Sequence, residues 1–172
     1  MPELVPVLRK SEIEARVAAL ASAISADYAG RNLVLIGVLK GAFVFLADLV
    51  RRLTVPVAID FVRLCSYGSG TCSSGHVQMT KSTDMDLAGK DVLVVEDIVD
   101  TGLTLDCLVA HCLSQNCRSV KVCALIDKQE RRSTAVKVDY IGCTVTQGFL
   151  VGYGLDYNEH YRELPEIYHL KP

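Results

Sequence analysis

Residues 92–105, VLVVEDIVDTGLTL, set three carboxylates and two threonine hydroxyls directly behind an apolar run. Side-by-side carboxylates such as Glu96 and Asp97 repel. They must be solvated, bound to a cation, or accept hydrogen bonds from hydroxyl donors such as a ribose diol. The following Asp100-Thr101-Gly102-Leu103-Thr104 suits a turn into a helix. Gly102 lets the backbone come close to a ligand, Thr101 and Thr104 offer hydroxyls, and the helix start offers free N–H groups and a positive dipole end to a phosphate. Asp100 carries the wrong charge for that anion and needs a different role.

Three other places bring chemically capable side chains to turns. Lys40 lies in a glycine-bounded strand-to-helix turn, Gly37-Val38-Leu39-Lys40-Gly41, which taken alone is equally explained by close packing and a solvated lysine. Lys128 follows the apolar run at 119–126 within a charged stretch that alone reads as a solvated turn. Near the carboxyl end, Phe149, Leu150, Gly152, Gly154 and Asp156 group an aromatic, glycines and an acid. The seven cysteines include no C-x-x-C pair and read as reduced thiols. Cys107, Cys112 and Cys117 spread around a helix axis, so with His111 they do not converge on zinc. His76, His160 and His169 lack partners at ligand spacing.

To hold these groups the chain needs strands alternating with helices. Ser11 and Glu14 make a capping-box pattern before the stripe Ile13, Val17, Leu20 and Ile24, which predicts a first helix ending near Gly30. A strand is expected at 33–36, a helix over 42–53, strands at 57–65, 92–95 and 119–126, a helix from Leu105 to about Asn116, and a further strand within 136–145. This alternation predicts an α/β fold with a mainly parallel sheet, right-handed crossovers, and ligands at the carboxyl ends of the strands. Residues 66–75, rich in glycine and serine, read as a loop able to act as a lid over a reaction that must exclude water.

At 172 residues the chain fits one domain with a substantial core. Twenty acids against eighteen bases leave a net charge of −2, which disfavours disorder and a general nucleic-acid surface. The amino terminus does not read as a secretory signal and no apolar run has membrane length, so a cytoplasmic location is expected.

The string at 92–105 resembles the binding motif for 5-phosphoribosyl-1-pyrophosphate (PRPP) of the type I phosphoribosyltransferases. GVLKGAF and GYGLDYNEHYR resemble segments of its 6-oxopurine branch. The resemblance covers nearly the whole chain. It implies one phosphoribosyltransferase domain over 1–172, with a twisted sheet, a flexible loop at 66–76 and a small hood built from the terminal segments. It also implies salvage of hypoxanthine or guanine with PRPP to give IMP or GMP and pyrophosphate, with Mg²⁺ as cofactor.

By the same resemblance Glu96 and Asp97 hold the ribose hydroxyls and contribute to the metal site. Asp100, Thr101, Gly102, Leu103 and Thr104 cradle the 5′-phosphate, and Asp100 is also the candidate general base. Lys128 donates to the exocyclic oxygen, Phe149 stacks on the base, Leu150 presents backbone groups, and Asp156 reaches the base and the metal shell. Leu39, Lys40, Gly41 and Arg162 serve the pyrophosphate, with the Leu39–Lys40 peptide characteristically cis. Ser66 and Tyr67 match the base of the loop. Partners would be small-molecule substrates and a second copy in a homodimer or homotetramer, with no nucleic acid or membrane.

Two positions depart from the family pattern. Thr146-Gln147-Gly148 stands where Pro-Asp is common before the aromatic, and Leu103 where some relatives carry lysine. Competing readings are a transferase for xanthine or a pyrimidine, and a PRPP-sensing RNA-binding regulator on the same fold.

Overall fold

In the computed structural model of the chain, residues 2–67 and 76–171 are described, apart from the side chains of Ser66, Tyr67 and His76. The loop expected at 66–76 thus lies outside the described residues except for backbone at its two ends. In chain order the elements are β1 (Glu3–Leu8), α1 (Lys10–Asp27), β2 (Leu33–Leu39), α2 (Phe43–Val50), β3 (Val57–Tyr67), β4 (His76–Lys81), β5 (Asp91–Val99), α3 (Leu103–Ser114), β6 (Ser119–Lys128), β7 (Tyr140–Val145), β8 (Leu150–Val151) and β9 (Ile167–Lys171).

The main sheet has the order β4-β3-β2-β5-β6-β7, parallel except for the antiparallel β3–β4 pair. Its central strands are apolar on both faces because helices cover both faces. Leu33, Leu35, Leu93, Val95, Cys123 and Leu125 pack into one core with Ile13, Val17 and Ile24 of α1 and Phe45 and Leu49 of α2. The intervening Val34, Ile36, Val92, Val94, Val122 and Ala124 meet Leu105, Leu108 and Cys112 of α3 on the other side. The period of two that sorts these residues into two cores fixes which side chains at the strand ends face the site.

A second sheet, β1-β9-β8, is antiparallel and joins the two ends of the chain. Its strands were not among the expected ones: β8 spans two residues, and β1 carries Pro6 beside a register shift, so neither shows a usable alternation. Boundaries also differ elsewhere. Helix α1 starts before Ser11, with the Glu12 Oε2 accepting the Arg9 N–H at 2.8 Å. Strand β2 runs on to Leu39, so Lys40 leaves the sheet directly. Strand β5 continues through both acids to Val99, because pairing of Glu96 with Ala124 and Val99 with Asp127 of β6 outweighs the polarity of the side chains.

At the amino ends of the strands Asp91, the first residue of β5, is fully buried, and its carboxylate accepts from Arg118 and from Ser119 Oγ, with Arg31 Nη1 at 3.9 Å. Hydrogen bonds from Arg118 outweigh burial and hold its pKa below the usual carboxylate range. A depressed pKa supplies stability above the unfolded value that disappears as pH falls through the folded one. Asp91→Asn should therefore lower unfolding free energy by about 1–3 kcal/mol at pH 7. In urea titrations the deficit should shrink as pH falls below the ordinary carboxylate range; a pH-independent deficit would refute the assignment.

Candidate active site

The carboxyl ends of β2, β5 and β6 open on two adjoining hollows that share Asp97, Ile98 and Asp100. The first, about 200 Å³, is formed by the end of β5 and the turn into α3, with Thr101, Gly102 and Thr104 among its walls. Gly102 caps α3 at φ 86°, where a Cβ would lie 2.9 Å from the Thr134 carbonyl oxygen, so only glycine lets this turn close against the neighbouring loop. The hydroxyls and the first turn of α3 make this hollow a receptor for a phosphate-sized anion. Leu103 does not line it. The Leu103 N–H points to Thr101 Oγ1 at 3.4 Å.

Arg132 fastens the turn from behind. Its Nε donates to the Asp100 carbonyl oxygen at 2.9 Å, and its Nη2 reaches the Val99 and Lys128 carbonyl oxygens and the buried Asp127 carboxylate. One planar guanidinium thereby ties the turn into α3 to the end of β6. Sequence reasoning read this stretch as solvated. The cue available was only that arginines follow a buried strand.

Glu96 and Asp97 line the same hollow. Burial and then the Asp97 charge push the Glu96 pKa well up; burial likewise raises that of Asp97. The Asp97 carboxylate sits so close to Gly41 that a Cβ there would fall 1.9 Å from Oδ2. The acidic pair and the glycine-bounded turn after β2 are therefore one structure. Leu39 and Lys40 are joined by a cis peptide, and the Gly41 carbonyl oxygen in turn lies against Gly154.

The second hollow, about 320 Å³, brings Lys40 and Gly41 together with Lys128, Phe149, Leu150, Asp156 and Arg162. These residues come from four separate segments of the chain. Lys128, only 7% exposed, ends β6 with its Nζ 3.2 Å from Glu130 Oε2. Phe149 is half exposed and meets the Tyr157 ring edge-on at a centroid distance of 5.7 Å, which orients one flat apolar face. Asp156 Oδ1 pairs with Arg162 Nη2 at 3.0 Å while Oδ2 accepts the Glu159 N–H at 2.9 Å.

Asp100 lies where the hollows meet. Its Oδ1 is buried with no hydrogen-bond partner and its other oxygen stands 3.5 Å from Arg131 Nη1. A buried acceptor with unused capacity beside an anion cradle is suited to take or share a proton from a bound molecule. Arg131, Glu130 and Tyr157, each touching an expected site residue, were missed from sequence because nothing local marks them. For Ser66 and Tyr67 only the backbone is described.

For a metal, Glu96 and Asp97 offer hard oxygen donors whose mutual repulsion a divalent cation would offset. Among the described residues no three His, Cys, Asp or Glu side chains form a metal cage. Both oxygens of Asp156 are already engaged, so in this arrangement it positions Arg162 and the 159 turn. Among the described residues no helix is long and apolar enough to cross a membrane.

The profile of the phosphoribosyl transferase domain family matches residues 7–158. The chain is 44% identical over 163 residues to the hypoxanthine-guanine phosphoribosyltransferase of Aquifex aeolicus, covering 94% of this chain and 92% of that protein. It is 43% identical over 166 residues to the bifunctional protein TilS/HprT of Listeria innocua, covering 96% of this chain but spanning 26% of that longer protein. A crystal structure of a hypoxanthine phosphoribosyltransferase from Staphylococcus aureus superimposes with a TM-score of 0.94 at 39% identity, over 97% of this chain and 91% of that one.

Proposed function

The chain belongs to the phosphoribosyltransferase family, and from that premise we propose that it is a purine-salvage enzyme joining hypoxanthine or guanine to PRPP. IMP or GMP and pyrophosphate would be the products. The observation that carries this reading is the shared wall of the two hollows, which sets a phosphate cradle beside a lysine and an exposed aromatic face.

In this assignment the 5′-phosphate lies in the cradle of Thr101, Gly102 and Thr104, with Leu103 contributing through the turn it completes. Glu96 and Asp97 accept from the ribose hydroxyls. The diphosphate faces Lys40, Gly41 and Arg162, at the turn that begins with Leu39. Phe149 holds the purine over the sugar, Leu150 contributes backbone groups, and Lys128 donates to the exocyclic oxygen as negative charge builds there. As the ring nitrogen becomes glycosidic, Asp100 accepts its proton.

Mg²⁺, held by Glu96 and Asp97 with Asp156 nearby, would supply charge neutralisation of the departing diphosphate. The two adjacent carboxylates suit that ion because they offer hard oxygen donors whose repulsion a divalent cation would offset. A single domain over 1–172, the terminal strands acting as a hood and a cytoplasmic location belong to the same reading. Self-association draws support from half-exposed Phe43, in a groove of about 450 Å³ between α1, α2 and the 162–165 segment.

The test is direct. Incubation with PRPP, Mg²⁺ and, separately, hypoxanthine, guanine, xanthine, adenine, uracil and orotate should yield nucleotide with the first two. Product only with a pyrimidine or adenine would overturn the base assignment. RNA binding without any product would favour the regulator.

A further inference from the structure

Lys40 and Arg162, the two cations at the proposed diphosphate position, converge on one carboxylate. Glu159 Oε2 accepts from Lys40 Nζ at 2.9 Å and lies 3.5 Å from Arg162 Nη2. The two residues are 119 positions apart, so this contact is made by the fold and not by local sequence. The turn that carries Glu159 is built to present it: Asn158, Glu159 and Tyr161 adopt φ of 49°, 66° and 78°, a left-handed run that non-glycine residues rarely take. Paired bonds between Tyr157 and His160 close the turn, at 3.1 and 3.0 Å, and Asp156 holds the Glu159 N–H.

We propose that Glu159 is a competing anion for the diphosphate site, its carboxylate occupying the donors of Lys40 and Arg162 that diphosphate oxygens must take over. The inference rests on the phosphoribosyltransferase reading above and deepens it. Binding then becomes an exchange of anions, and departure of pyrophosphate is assisted because Glu159 returns to the cations. Asp156 accompanies it on Arg162 but is oriented by that one guanidinium, whereas Glu159 bridges both cations.

Glu159→Gln keeps the length and hydrogen-bonding ability of the side chain and removes only the charge. Titration calorimetry of the full chain with pyrophosphate and Mg²⁺ should show roughly three- to ten-fold tighter binding in the variant, the size of one partly screened charge contact and one lost competitor. KM for PRPP should fall in parallel while kcat does not rise, and affinity for IMP should stay within about two-fold, since its phosphate uses the other hollow. In a Lys40→Met background the Glu159→Gln gain should shrink, because the pair acts as a unit. Unchanged or weaker pyrophosphate binding, or equal tightening of IMP, would overturn the proposal. Absence of nucleotide from every base would sink the substrate reading instead, and the pyrophosphate titration would still decide on Glu159.

Discussion

Replacing Asp100 by Asn should lower kcat by about 10²–10⁴-fold while KM for PRPP changes only a few-fold. The substitution is nearly isosteric, so the backbone of the phosphate turn, which Arg132 holds through the Asp100 carbonyl oxygen at 2.9 Å, is untouched. What is lost is the ability to accept a proton. The Asp100 Oδ1 is buried without a partner, and Arg131 Nη1 stands 3.5 Å from the other oxygen. An amide there can still hydrogen-bond the ring nitrogen of the purine but cannot remove its proton. Steady-state kinetics with hypoxanthine separate the two roles: near-normal kcat in the asparagine variant would rule out proton transfer to Asp100 and leave orientation. A loss confined to KM would move Asp100 from the chemistry to ground-state binding.

The neighbouring pairs fit the same logic. Lys128 is met by Glu130, Arg162 by Asp156, Lys40 by Glu159 and Asp100 by Arg131. These four charges each have a counter-charge from the loops that border the site, whereas, among the described residues, Glu96 and Asp97 have only each other.

How much of this is legible in the sequence differs by feature. The parallel sheet is, because β2, β5 and β6 are apolar on both faces and are each followed by the turn that their function needs. The hollow at the turn into α3 is, because its hydroxyls, glycine and helix start are consecutive. The terminal antiparallel sheet is not: Pro6 and the two-residue β8 leave no period to read. Neither are Asp91 with Arg118, or Lys40 with Glu159, since a pair that meets only after folding leaves no local pattern. Arg132 was obscured differently, by lying in a charged run whose ordinary fate is solvent while one of its members turns inward. The Ser11–Glu14 box shows the opposite failure, a valid local pattern displaced by a nearby contact, the Glu12 carboxylate on the Arg9 N–H, once β1 sets where the helix begins.

Gly154→Ala should abolish most activity, lowering kcat/KM by roughly 10²-fold or more, although Gly154 is not itself among the residues proposed to contact substrate. Gly154 has φ 98°, and a Cβ on it would lie 2.2 Å from the Gly41 carbonyl oxygen, a backbone atom that cannot swing aside. Its own carbonyl oxygen accepts from Arg162 Nη1 at 2.7 Å, and its N–H donates to the Arg162 carbonyl oxygen at 3.0 Å. One methyl group would therefore push apart the turn after β2 and the segment that carries Arg162. Because Asp97 rests on Gly41, the shift passes on to the acidic pair. A displacement near 1 Å at reacting groups is enough for a loss of that size. The left-handed backbone adds strain, so unfolding free energy should also drop by about 1–3 kcal/mol. Circular dichroism under assay conditions separates the two effects. A folded variant with wild-type kcat/KM would show that the contact between Gly154 and Gly41 does not set the geometry of the site.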